Sequence, residues 1–144
     1  MDNIKEKINK FISNKQICVL ATVEGDRPYC SLMNYVADES GIEFYMVTLR
    51  NTRKFQNLLA NPKASMLIDS RDSAEFSSAR ALTIEGVYEP MSDQQKIKWA
   101  KSKLVAENPT LKGFCNLPDI EVLCIRARSF LLLNGLLDSY YVAV

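Results

Sequence analysis

Three short apolar segments joined by tight turns occupy residues 16–49, and they limit the possible folds more than any other feature of the sequence. The segments are QICVLATV (16–23), YCSLMNYVAD (29–38) and IEFYMVTL (42–49). The connections EGDRP and ESG are rich in Gly, Pro, Asp and Ser, which is typical of turns. Connections this short join antiparallel neighbours, so the region predicts a three-stranded antiparallel meander.

Further helices and strands surround the meander. Most strands are linked by turns and not by crossover helices, which favours an antiparallel sheet. With six or seven strands in 144 residues, closure into a small barrel hides the sheet edges. We therefore predict a mainly β protein with flanking helices, in one domain of residues 1–144. The other predicted elements are helices at 3–14, 52–60 and 92–108, strands at 63–70, 79–91, 120–133 and 139–144, and a polar loop at 71–78.

Local signals predict finer details of these elements. Gly86 interrupts a strand and indicates a β-bulge or a close approach of two backbones. Ser92 is a good N-cap for the long helix that follows, and Gln95 completes the spacing of a capping box. The apolar face of helix 52–60 is predicted to consist of Phe55, Leu58 and Leu59.

Composition removes several classes of site. Histidine is absent, which excludes a Ser-His-Asp triad, a Cys-His dyad and a His-based zinc site within this chain. The net charge is +1, so any electrostatic function must come from a local cluster. The four cysteines lack the CxxC spacing of a zinc or redox motif. Cys18, Cys30 and Cys124 lie in apolar strand-like runs and are predicted to be reduced core residues.

The sequence carries no recognisable targeting segment. MDNIKEKINKFI at the start is polar and periodic, without the apolar region of a signal peptide. No apolar stretch approaches the roughly 20 residues that span a bilayer. We therefore expect a cytoplasmic protein.

A cluster of cations in TLRNTRKFQNLLANP (48–62) is the strongest chemical feature of the sequence. Arg53 and Lys54 fall in the first turn of a predicted helix, with Arg50 just before it. A helix N-terminus favours acidic side chains, because it carries partial positive charge and unpaired N–H groups. A bound phosphate reverses this preference, since the N–H groups, the Thr52 hydroxyl and the cations all favour an anion. We predict an anion site. Three kinds of anion stay open at this point: a phosphate on a small molecule, on RNA or on a lipid. The alternative is that these cations are ordinary solvated residues on the surface of the helix.

The strand at 29–38 offers a wall for such a ligand. Successive side chains of a strand point to opposite faces, and either face suits a flat apolar ligand. Ordinary core and surface packing is the alternative for each residue. One face carries Tyr29, Ser31, Met33 and Tyr35, and the other carries Cys30, Leu32 and Asn34.

The order of these pieces resembles a known family, the pyridoxamine 5'-phosphate oxidase-like FMN-binding split barrels. The resemblance rests on the LAT strand, the turn followed by RPY, the acidic-Gly turn, the series FYMVT...TRK...L..NP.A, and the later strand TIEGVYEP. It covers residues 15–90 well and the rest loosely. It implies a six- to seven-stranded antiparallel split β-barrel of the FMN-binding type.

The resemblance also implies FMN bound at a homodimer interface. Arg53 and Lys54 match the pair that holds the FMN phosphate, and Thr52 matches a small hydroxyl residue beside it. The other implied contacts lie in two strands: Ser31, Leu32 and Met33 line the isoalloxazine, and Val47 and Thr48 lie at a strand end against the flavin and its phosphate arm.

The sequence departs from the vitamin B6 oxidases of this family at two places. Met33 stands where those oxidases tend to have a lysine. Their C-terminal substrate motif, with basic residues and histidine, is not recognisable in SFLLLNGLLDSYYVAV. The resemblance therefore implies a family member that is not a true pyridoxamine 5'-phosphate oxidase.

Three functions follow as hypotheses. The first is an FMN-dependent oxidoreductase with a small or flat substrate and possibly NAD(P)H as electron donor, since the flavin supplies the chemistry and needs no histidine. The second is a non-catalytic carrier or sensor of flavin, haem or a deazaflavin on the same fold, although the lack of histidine argues against a His-ligated haem. The third is an RNA- or phospholipid-binding barrel, which needs more cations and interleaved aromatics than this chain has.

Overall fold

The computed structural model describes residues 2–70 and 79–144, so the polar loop predicted at 71–78, with Arg71, Asp72 and Glu75, lies outside the described residues. The helices are α1 (Asp2–Asn14), α2 (Arg53–Ala60), α3 (Gln94–Glu107) and α4 (Lys112–Cys115), with a 3-10 turn at Pro109–Leu111. The strands are β1 (Ile17–Glu24), β2 (Arg27–Asn34), β3 (Val36–Ala37), β4 (Glu43–Leu49), β5 (Lys63–Asp69), β6 (Arg80–Glu89), β7 (Ile120–Asn134) and β8 (Asp138–Ala143).

All eight strands belong to one antiparallel sheet. Its order is β2-β1-β5-β6-β7-β4-β3, and β8 pairs with β7 beside this path. The sheet curls until β2 comes into contact with β4, but no ladder joins these two described strands. The barrel is therefore split at this seam, and β2 keeps a free edge. This confirms the predicted split barrel. The described residues form eight strands, one more than the seven predicted, because one predicted strand is divided in two.

That division falls in the predicted strand 29–38. The chain leaves the β1 ladder after Asn34 and pairs with β4 at Val36 and Ala37. Tyr35 lies between the two ladders; its hydroxyl donates a hydrogen bond of 2.6 Å to the Ile12 carbonyl at the end of α1. The tyrosine thus ties α1 to the place where the strand changes partner.

Apolar side chains form two cores on the two sides of β4 and β7. The larger core fills the barrel, and the smaller one lies beneath α3. Phe44 and Met46 point into the barrel, whereas Tyr45 and Val47 point toward α3. Consequently β4 is buried on both faces, unlike an ordinary half-exposed antiparallel strand.

The outer face of the sheet, opposite the barrel core, carries a partly exposed row of apolar side chains that is interrupted by one threonine. Its members are direct cross-strand neighbours on six strands, and Leu32 and Tyr141 at its ends are 65% and 66% exposed. The row consists of Leu32, Val19, Leu67, Thr83, Leu131 and Tyr141.

Two predicted helix details are wrong. The N-cap of α3 is Asp93 and not Ser92; its carboxylate accepts hydrogen bonds from the Gln95 and Lys96 amides. In α2 the predicted core residue Leu59 is 54% exposed, while Asn57 is buried.

No helix within residues 2–70 and 79–144 has the length and apolar character needed to cross a membrane.

Gly86 confirms the predicted irregularity of its strand. The register between β6 and β7 shifts between Glu85 and Gly86, and a Cβ at Gly86 would lie 2.7 Å from Ile125 Cγ2 and 2.9 Å from the Arg126 carbonyl oxygen. Real Cβ atoms do not approach backbone this closely, so only glycine fits.

We expect Gly86→Ala to lower the free energy of unfolding by about 1–3 kcal/mol, because β6 and β7 must separate to admit the methyl group. Chemical denaturation measures this. Gly113→Ala is the matched control, since a Cβ there meets no atom within 4 Å. Equal stability of the two variants would contradict the close approach.

Candidate functional site

The N-terminus of α2 follows directly from the end of β4 and lacks its usual side-chain cap. Thr52 is the N-cap residue, but its hydroxyl donates a hydrogen bond of 2.8 Å to the Leu49 carbonyl and lies 3.0 Å from the Thr48 hydroxyl. The first turn contains no acidic residue. No side chain of the described residues therefore accepts from the first-turn N–H groups, which is the state that an anion stabilises.

Two cations stand on this turn. Arg53 donates a hydrogen bond to the Tyr29 hydroxyl of β2, and its Cζ lies 4.7 Å from the centre of the Tyr29 ring. Its Nε lies 4.0 Å from a carboxylate oxygen of the exposed Glu24, a weak surface pair. Lys54 is half-buried and forms no ion pair with any described residue. The positive charge at the helix N-terminus is thus only partly compensated.

Arg50 does not belong to this group, although the sequence puts it two residues away. Its Nε lies 2.6 Å from the Glu121 carboxylate, and its Nη1 lies 3.9 Å from Asp119. The hydrogen bond to Glu121 is the main cause that raises the pKa of Arg50. Arg50 therefore fixes the end of β4 to the start of β7 and is already neutralised.

A buried hydrogen bond holds α2 in its position. The Asn57 side-chain amide donates to the Thr22 hydroxyl of β1 at 3.1 Å, and both residues are at most 4% exposed. Phe55 packs edge-on against Tyr88, with ring centres 6.4 Å apart. These contacts fix the direction in which the first turn of α2 points.

The predicted contacts in β2 divide between its two faces. Ser31 and Met33 share the inner face with Tyr29, opposite Leu20 and Cys18 of β1. Leu32 lies on the outer face. Because β2 is the edge strand, its outward backbone groups are free to bond a ligand or another chain.

The predicted contacts in β4 also point in two directions. Thr48 is buried on the barrel side and touches Thr52, so it joins the α2 turn. Val47 is buried in the core beneath α3. The structure therefore brings together the side chains of Thr48, Thr52, Arg53 and Lys54, with Tyr29 beside them, but not those of Leu32 or Val47.

Two residues of this region were not among the predicted contacts. Tyr29 positions Arg53. The sequence signal for it was strand alternation, which puts Tyr29 on the same face as Ser31 and Met33. Asn57 anchors the helix, and no sequence signal marks it, because a polar residue beside the apolar stripe is normally exposed.

The cysteines are poor candidates for chemistry, with one exception to the predicted burial. Burial raises the pKa of the Cys18 thiol to about 12, and burial together with Glu43 raises that of Cys124 to about 12. Both stay protonated thiols at neutral pH. Cys30 was predicted to be a core residue, but it lies exposed on the outer face of β2.

Cys124 also belongs to a small polar group with Glu43 and Glu89, whose ligand atoms lie within 4.8 Å of one another. Lys96 Nζ lies 3.2 Å and Arg126 Nη1 lies 3.7 Å from the Glu43 carboxylate. The two cations pair with Glu43, so this carboxylate is compensated within an ion-pair network.

Comparison with known proteins agrees with this architecture. Residues 4–132 match the family model described as pyridoxamine 5'-phosphate oxidase. No protein with a curated description matches the sequence. General Stress Protein 26 of Bacillus anthracis has a similar structure, with 19% identity, 99% of each chain covered and a TM-score of 0.76.

Two further similar structures come from proteins that are described as binding or storing heme. HutZ of Vibrio cholerae, a heme storage protein, is 18% identical, with 91% of this chain and 94% of that chain covered and a TM-score of 0.75. A heme-binding protein of Mycobacterium smegmatis is 20% identical, with a TM-score of 0.84; the match covers 96% of this chain but only 57% of that protein.

The anchor of α2 is open to test. We expect Asn57→Ala to cost about 1–3 kcal/mol of unfolding free energy, because it leaves the buried Thr22 hydroxyl without its partner. Denaturant unfolding gives the value. The exposed neighbour Gln56, which bonds only the Arg50 carbonyl, is the control, and Gln56→Ala should change stability by less than about 0.5 kcal/mol. Similar losses for both would argue against the buried anchor.

Proposed function

Because this chain belongs to the pyridoxamine 5'-phosphate oxidase family, we propose that it is a flavoprotein that binds FMN and acts as an oxidoreductase. The substrate is a small or flat molecule, and NAD(P)H is the proposed electron donor. The missing B6-oxidase motifs argue for a substrate other than pyridoxamine 5'-phosphate.

One observation carries the proposal: the uncapped and cationic N-terminus of α2. Its free N–H groups, Lys54 without an ion pair among the described residues, and Arg53 held by Tyr29 all favour a dianionic phosphate. The hydroxyls of Thr48 and Thr52 add polar atoms beside the turn. These donors fit the phosphate of FMN.

In this proposal the residues of β2 bind the isoalloxazine ring, at the other end of the flavin from the phosphate. Its free edge offers backbone N–H and C=O groups for the polar rim of the isoalloxazine, and Ser31 adds a hydroxyl on the inner face. When bound, the flavin supplies hydride or electron transfer. The protein then orients the ring and limits access of water to it.

A second copy of the chain is needed to complete this site. Arg53 is exposed, and the adjacent strand β2 ends the described sheet, with no described strand paired to its outer edge. The outer apolar row, from Leu32 to Tyr141, is a continuous surface of the kind that a partner subunit covers. We propose a homodimer in which this face is buried and the cofactor lies at the interface.

Haem binding is the second candidate, and the two heme proteins of similar fold favour it. The chain has no histidine, so a bound haem iron would take its axial ligand from Cys, Met or Tyr. Titration with hemin and with FMN in parallel separates the two candidates, because each cofactor has its own absorbance bands.

The phosphate site is tested with Arg53→Ala/Lys54→Ala. We expect FMN affinity to fall about tenfold or more, since two charge-assisted contacts are lost. Affinity for riboflavin should stay the same, because riboflavin has no phosphate. Flavin fluorescence titration measures both ligands.

Lys98→Ala/Lys112→Ala removes the same charge elsewhere, on exposed helix positions, and should leave the FMN affinity unchanged. The proposal fails if the wild-type protein binds neither flavin, or if the double variant weakens FMN and riboflavin alike.

The proposed dimer is tested with Tyr141→Glu. The side chain is exposed in one chain, so the subunit should still fold, but a buried charge at the interface should shift the protein from dimer to monomer and weaken FMN binding. Light scattering after size-exclusion chromatography gives the mass. Leu117→Glu, at an exposed leucine between α4 and β7, should remain dimeric. A dimeric Tyr141→Glu protein would place the interface elsewhere.

A further inference from the structure

A basic groove lies between α1 and the paired ends of β6 and β7. It has a volume of about 410 Å³, and four of its lining residues are cations. No carboxylate lines it in the part of the chain that the structure describes. The cations are Lys7, Lys10, Lys15 and Arg80. None of the groove's residues takes part in the proposed flavin site.

The fold brings these cations together from both sides of the groove. Spacings of three and four residues put Lys7, Lys10 and Asn14 on one side of α1. Arg80 begins β6 and is the cross-strand partner of Asn134, which ends β7. The groove therefore has a helical wall and a strand wall, each with cationic and amide groups.

The buried ring of Phe11 forms the floor between the walls. Arg80 Cζ lies 5.1 Å and Lys15 Nζ lies 5.9 Å from its centre. Phe11 is 3% exposed and anchors α1 on the barrel, so both cations lie beside a fixed apolar ring. Lys10 and Lys15 lie near the C-terminus of α1, whose partial negative charge favours cations. Arg80 lies on the strand wall and is not stabilised by this helix end. An anion between the walls would compensate Lys7 of the helical wall and Arg80 of the strand wall together.

From this geometry we propose that the groove binds a diphosphate group. Two walls with cations suit a ligand that carries more than one negative charge, because each wall can bind separate phosphate oxygens. The amides of Asn14 and Asn134 offer neutral donors between the cations. The diphosphate belongs either to free pyrophosphate or to a nucleoside diphosphate.

Calorimetric titration at constant ionic strength tests the site, with inorganic pyrophosphate and ADP as separate ligands. We expect saturable binding of pyrophosphate to the wild-type protein and a loss of about tenfold or more in affinity for Lys7→Gln/Lys10→Gln. Arg80→Gln, on the opposite wall, should have a similar effect. Tighter binding of ADP than of pyrophosphate would identify a nucleotide, and the reverse would identify free diphosphate.

Lys98→Gln/Lys112→Gln is the matched control, because it removes two exposed charges outside the groove. It should bind pyrophosphate like the wild type. Absence of saturable binding, equal weakening in the control, or full affinity in Arg80→Gln would overturn the two-walled site. Thermal unfolding without ligand verifies that each variant is folded.

The groove and the flavin site are separable in the same assays. Lys7→Gln/Lys10→Gln should keep the FMN affinity of the wild type, and Arg53→Ala/Lys54→Ala should keep its pyrophosphate affinity. Failure of the flavin proposal would therefore leave the pyrophosphate result intact, and failure of the groove would leave the flavin result intact.

Discussion

The ladder between β4 and β7 is the constraint on which the candidate site depends. It pairs seven residues of each strand and is buried between the barrel core and the core beneath α3. The ladder ends at Leu49, and Arg50 fastens this end to Glu121. The first turn of α2 therefore begins from a fixed point, and the Asn57–Thr22 hydrogen bond fixes its direction. An anion site gains affinity from such preorganised donors, because little ordering remains to be done on binding.

Neighbours in the sequence have different electrostatic roles at this turn. Arg50, Arg53 and Lys54 are one cluster by spacing, yet only the latter two stand on the uncompensated helix end. Arg50 is neutralised by two acids that lie about 70 residues away along the chain. Charge alone thus does not define the site. What defines the candidate site is the positive charge that the described residues compensate only in part.

Local pattern predicted a mainly β barrel, the order of the strands along the chain and the cationic start of α2, and the family resemblance implied that the barrel is split. The sequence did not predict the break at Tyr35, the exposure of Cys30 or the burial of Asn57. Each of those depends on which strand or helix lies opposite, and a single sequence does not contain that information. Both faces of β2 have similar apolarity, so alternation alone does not show which one faces the core. The pairing with β1 decides it.

The edge strand β2 is the place where the proposed cofactor and the proposed partner subunit meet. An eight-residue edge strand with an apolar outer face tends to associate with other chains unless something covers it. A flavin along this edge would satisfy some of its backbone groups, and a second subunit would cover the outer row from Leu32 to Tyr141. By linkage, the proposed flavin binding and the proposed dimer formation would strengthen each other by the same free energy. A chain that lost either one would leave part of this edge or of the outer row exposed.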